Sequence, residues 1–147
     1  MTLHYDRPGT AARSFNAAIR HLAELGISVA GSRALRVRGR TSGVMRGVVV
    51  NVLRVDGVDY VISPRGTTQW VRNARVAGAV EVGPRWRRRT VPVSEVADAA
   101  KPPLLQRYLD RWYWEVKGHI AGLTPTSTPD ELRAAAPLIP AFALGSA

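Results

Sequence analysis

Two stretches of the sequence collect groups that hold anions. The first, Gly39-Arg40-Thr41-Ser42-Gly43-Val44-Met45-Arg46, is a turn with two hydroxyls and two guanidiniums. Its backbone N–H groups can form a concave nest of donors, and arginine forks match phosphate and carboxylate geometry. The second runs from Ser63 to Arg75 and holds three arginines, the adjacent Thr67 and Thr68, Gly66, Trp70 and no acid. It reads as a helix start, where the first-turn amides lack partners and the dipole is positive. The acid usually welcome there is missing, which leaves the place to an external anion. A solvated hairpin tip, and a plain threonine cap with Trp70 in the core, explain the same letters without a ligand.

Side chains that do chemistry unaided are scarce. His4, His21 and His119 are scattered without metal-ligand spacing, so no metal site is expected. There is no Gly-x-Ser-x-Gly elbow, no Walker loop and no GxGxxG. Glu95 and Asp98 stand at a strand-to-helix boundary, where acids favour a helix start. An enzyme built this way takes its chemistry from a cofactor. Tyr108, Trp112 and Tyr113 on the last long helix are candidates to wall an apolar substrate site, with a tyrosine as proton source. Their helical spacing equally suits core packing.

Charge supports the anion reading. Leu25 to Ser94 contains 13 arginines, no lysine and only Asp56, Asp59 and Glu81, which accounts for the whole net charge of +10. The flanks balance at eight basic and eight acidic residues. A uniform arginine bias would not leave them neutral, so the central block fits a polyanion. The 147 residues form most simply one domain with a real core. The chain has no cysteine, no apolar run of bilayer length and no apolar signal-peptide centre, so a cytoplasmic location is the expectation.

Residues 1–13 read as a loose arm. Phe15, Ala18, Ile19, Leu22 and Leu25 then recur at helical spacing between Ser14 and Gly26. Strands are expected at Ala34–Arg38, at the β-branched run Gly47–Val55 and, after the Asp56-Gly57 hairpin signal, along VDYVIS. A helix capped by Thr67 or Thr68 runs to about Ala77, with Trp70, Val71 and Ala74 facing inward. AVEV and WRRRTVPVSEV follow as strands around Gly83-Pro84, then a helix from about Asp98 to Val116. Residues from about 119 to 147 read as a partly irregular tail. Five or six short strands with flanking helices make an α+β protein that closes most easily as a small barrel.

The order Gly39-Arg40-x-Ser42-Gly43-x-x-Arg46, a strand, an Asp-Gly hairpin, then Ser63-x-x-Gly66 and Trp70-x-x-Asn73 resembles the deazaflavin-dependent nitroreductase family. These are actinobacterial split-β-barrel proteins that use reduced coenzyme F420 and include quinone reductases. The resemblance covers roughly Ala34 to Val93, with Thr41 where the family commonly has lysine. It implies an α+β split β-barrel (FMN-binding-like) with flanking helices. It also implies that Arg40, Ser42 and Arg46 hold the cofactor's phosphate or oligoglutamate tail, while Ser63, Arg65, Gly66, Thr67 and Thr68 line the deazaflavin and its linker. Trp70 is read as scaffold, and Asn73 as tying down a neighbouring loop. The implied activity is hydride transfer from the reduced deazaflavin to an apolar quinone, enone or nitro compound.

Other expectations accompany this reading. FMN is the alternative cofactor, and a non-enzymatic lipid or hydrophobic-metabolite carrier on the same barrel is the alternative function. A nucleic-acid module using Arg87-Arg88-Arg89 is disfavoured by the lack of lysine and of stacking aromatics, so no nucleic-acid partner is expected. The partner expected is a small apolar molecule, with at most weak peripheral membrane contact, in a monomer or homodimer.

Overall fold

The computed structural model describes residues 32–145; the expected arm and the helix over residues 14–26 lie outside them. The described residues form six strands: β1 (Ser32–Arg38), β2 (Met45–Val55), β3 (Val58–Ile62), β4 (Ala79–Val82), β5 (Arg89–Glu95) and β6 (Ala141–Leu144). Helix α1 (Gln69–Ala77) joins β3 to β4, while α2 (Lys101–Val116) and α3 (Pro129–Ala135) lie between β5 and β6. Every pairing is antiparallel, and the sheet closes on itself in the order β1-β2-β3-β6-β5-β4. The α+β barrel expectation holds, and the architecture is of the split-barrel type.

Strand periodicity sorts the apolar residues into two cores. Leu35, Val37, Val50, Val61, Val80 and Phe142 fill the barrel interior together with Val71 and Ala74 of α1. Their strand neighbours Leu53, Ile62 and Ala141 point outward and pack under α2 and α3 with Leu104, Leu105, Leu109 and Trp112. β2 and β3 meet at Asp56 and Gly57, both with positive φ (52° and 78°), which is the two-residue hairpin read from Asp-Gly.

The last long helix begins later than the sequence suggests. Asp98–Ala100 forms a 3-10 turn and α2 starts at Lys101, with Pro102 and Pro103 in its first turn. Those positions need no N–H partner, so prolines fit there and mark the start. The segment expected to be a partly irregular tail is irregular as far as Ser127 and regular after it. Thr128 then caps α3 in a reciprocal box with Glu131, and β6 completes the barrel between β3 and β5.

Antiparallel order gives the barrel two distinct ends. The β1–β2 turn, α1 and the crossovers from β5 to β6 gather at one end, and the β2–β3 and β4–β5 hairpins at the other. These are the α1 end and the hairpin end.

Candidate functional site

The two anion-friendly stretches meet at the α1 end through Arg40 and Asn73, which are 33 residues apart in sequence. Asn73, buried in the second turn of α1, accepts hydrogen bonds from the Arg40 backbone N at 3.1 Å and from Arg40 Nη1 at 2.8 Å. One amide oxygen thus fixes both the β1–β2 turn and its guanidinium against the helix, the loop-tying role expected of Asn73. The turn is further closed by Gly39 N to Val44 O (2.8 Å), Gly43 N to Gly39 O (2.9 Å) and Arg38 Nη1 to Gly43 O (3.0 Å). Ser42 Oγ accepts from Val44 N at 3.2 Å, which leaves its hydroxyl proton to donate elsewhere. Arg46 is exposed and lies opposite Val37, on the strand face that lines the barrel.

The approach to α1 is built from Ser63 to Thr68. Ser63 is 2% exposed; its hydroxyl donates to Gly66 O at 2.6 Å and its backbone N to Pro140 O at 2.8 Å. That hydroxyl shapes the turn rather than facing outward. Gly66 is buried with φ of 94°, a conformation that glycine adopts without strain. Arg65 and Thr67 beside it are half-buried. Thr68 occupies the cap position with extended backbone, yet its side chain makes no cap bond. Its Oγ1 is enclosed without a hydrogen-bond partner, and the first turn of α1 has no acidic residue. A buried hydroxyl left unpaired costs on the order of 1–3 kcal/mol, and among the described residues this atom and Arg36 Nε are the enclosed side-chain atoms without a hydrogen-bond partner.

The nearby carboxylates are already neutralised. Glu95 is bridged by Arg75 of α1 with Nη2 to Oε2 at 2.6 Å, and Asp98 by Lys101 Nζ at 2.8 Å. The α1 end therefore presents arginines without competing free acids from these two positions. No group of three or more His, Cys, Asp or Glu stands together as metal ligands among the described residues.

The tyrosines are placed differently from the anion-binding residues. Tyr108 is 3% exposed in the outer core, 5.1 Å ring to ring from Trp112, and hydrogen-bonds Asn51. Burial raises its pKa far above the ordinary phenol value, against a smaller lowering by Asn51. The proton-source expectation for Tyr108 gives way to core packing, because a phenol so enclosed neither reaches the barrel interior nor ionises readily. Tyr113 is half-buried against the same core. Trp70 is half-buried and packs on Phe142 at 5.8 Å, as scaffold. Two participants escaped the sequence reading. Arg38 closes the turn, and Asn51, a polar residue in an apolar strand, bridges Tyr108 and Glu115 (Nδ2 to Oε2, 3.3 Å). The lone asparagine within GVVVNVLRV was the available signal for the second.

No family model and no curated protein matches the chain. Among solved structures, the chain is similar to a domain-swapped dimer (TM-score 0.53, 14% identity, 91% of this chain and 96% of that one). It is also similar to a protein of unknown function from Agrobacterium tumefaciens (TM-score 0.52, 18% identity, 95% of this chain and 58% of that one). A third is a NimC/NimA family protein from Clostridium acetobutylicum (TM-score 0.51, 16% identity, 88% and 82% covered). At such identities the likeness establishes the shared six-stranded barrel.

Proposed function

We propose that the chain is a reductase that binds coenzyme F420 at the α1 end and delivers reducing equivalents to an apolar, electron-poor acceptor. The unpaired Thr68 Oγ1 at an acid-free helix start, beside a turn whose Arg40 is clamped by Asn73, carries this reading. These donors fit the group: all are cationic or neutral, and the ligand's phosphodiester and carboxylates are anionic. When bound, the reduced deazaflavin would supply a hydride to a quinone, enone or nitro compound.

The chain's own residues would bind and orient. Arg40 and Arg46 would hold phosphate or tail carboxylates, with Arg40 already pointed by Asn73, so less rotamer freedom is lost on binding. Ser42 and Thr68 would donate hydroxyl protons, and the first amides of α1 would add unpaired donors. Arg65, Gly66 and Thr67 would border the ring and its linker, with Ser63 setting their turn from within. Preorganised placement of this kind is what a cofactor enzyme contributes to rate. The likeness to a NimC/NimA family protein supports the barrel as the scaffold, and the likeness to a domain-swapped dimer supports a homodimeric assembly.

Turnover tests the proposal. Reduced F420 and menadione, mixed with the purified chain, are expected to yield oxidised F420 with saturation in both. Asn73→Ala should raise the apparent KM for F420 about fivefold or more, since Arg40 loses its clamp. Absence of F420 oxidation with quinone, enone and nitro acceptors alike, from folded protein, would end the reductase reading and favour the hydrophobic carrier.

A further inference from the structure

The thirteen arginines of the central block do not form one patch. Arg33, Arg54, Arg85, Arg87, Arg88 and Arg89 belong to the hairpin end, opposite the candidate site, where Asp56 and Asp59 stand on the β2–β3 hairpin and Glu81 on β4 is paired with Arg36. Asp59 is taken up by Arg54, Nε to Oδ1 at 2.8 Å. From Gly83 to Val93 the sequence has no acid at all.

The β4–β5 loop is shaped to present a tryptophan in this field. Arg87 N donates to Pro84 O at 2.9 Å, so Arg85 and Trp86 are the two central residues of a tight turn at its apex. Gly83 has φ of 100°, and a Cβ there would lie 2.7 Å from Arg87 O, so only glycine lets the turn close. Trp86 is left 61% exposed, between the exposed Arg85 and Arg87. An indole held in water at a loop tip gains by entering a less polar layer while its N–H stays hydrated.

We propose that the β4–β5 loop docks the protein onto an anionic lipid bilayer, with Trp86 at headgroup depth and Arg85 and Arg87 against lipid phosphates. The surface is a convex apex with one exposed ring. Single-stranded nucleic acid is held instead in a basic groove with successive aromatic platforms, which the described residues at this end do not supply. A bilayer asks only for an amphipathic ring and a cluster of cations. No described helix is long and apolar enough to cross a membrane, so the contact is peripheral. The docking surface lies at the far end of the barrel from the F420 reading and stands independently of it.

Co-sedimentation of the full chain with phosphatidylcholine vesicles, with and without phosphatidylglycerol, tests the surface. Binding should require phosphatidylglycerol and weaken with salt. Arg85→Ala and Arg87→Ala should each lower the partition constant about fivefold, and Trp86→Ala several-fold, as all three change exposed side chains. Arg46→Ala removes one positive charge from the α1 end and should leave vesicle binding nearly unchanged. Equal binding to uncharged vesicles, a loss with Arg46→Ala matching that with Arg85→Ala, or no effect of Trp86→Ala overturns the proposal. Tight binding of a single-stranded oligonucleotide that depends on Trp86, with none to either vesicle, would assign the loop to nucleic acid instead.

Discussion

Tyr108 and Thr68 illustrate how a polar atom's surroundings decide its role. Both are polar side chains next to packed apolar residues, but Tyr108 hydrogen-bonds Asn51 whereas Thr68 Oγ1 has no partner. A satisfied phenol in a core holds structure; the unsatisfied hydroxyl at the acid-free start of α1 is the atom on which the F420 proposal rests. Tyr108→Phe should therefore lower stability by about 1 kcal/mol, the net worth of one hydrogen bond, and leave any F420 turnover intact. Urea unfolding and turnover measured on the same variant separate the two roles. The letters alone could not make this distinction, because helical spacing places Tyr108 on the buried face without saying what its hydroxyl meets. Asn73 was more legible: its match to the Trp70-x-x-Asn73 motif led to the reading that it ties down a neighbouring loop, and it holds the β1–β2 turn at Arg40.

Among elements, those with their own punctuation could be read and those without could not. Asp56-Gly57 dictates a hairpin, Gly78 ends α1 in the left-handed region, and the β-branched run of β2 can hardly be anything but a strand. β6 has no such signal. Both its faces are buried, Ala141 under the outer helices and Phe142 in the barrel, so AFAL shows no polar alternation and follows an alanine-rich segment that looks helical. Its neighbour α3 is held by the Thr128–Glu131 box, and Thr128→Ala should cost about 1 kcal/mol by thermal or urea unfolding. Hydrogen bonds from Thr128, its backbone N first, hold the Glu131 carboxyl below its ordinary pKa. A carboxyl depressed in the folded state stabilises above its unfolded pKa, and that stability fades as the pH falls through the folded value. Glu131→Gln keeps the acceptor without the titration, so its melting temperature should fall less than the parent's over that acid range.

At the scale of the whole molecule, barrel closure depends on the segment farthest along the described chain. β6 is bonded to both β3 and β5, and Phe142 sits in the interior core at 2% exposure. Ending the chain at Ile139 would leave two strand edges unpaired and the interior open, and should abolish cooperative unfolding by circular dichroism. Closure also separates the charge that the sequence shows as a single block, sending one set of arginines to α1 and the other to the hairpins. Strand direction, not composition, makes that division, which is why it was invisible before the topology was known. The α1 set can be examined alone by fluorescence titration of F420 with the parent chain, Arg46→Ala and Thr68→Val, with FMN as competitor. Saturable binding at or below roughly micromolar, weakened about tenfold or more by either substitution and untouched by FMN, is the expected outcome. No saturation at tens of micromolar on the same scale, or binding indifferent to both substitutions, would contradict the assignment of the α1 end to this cofactor.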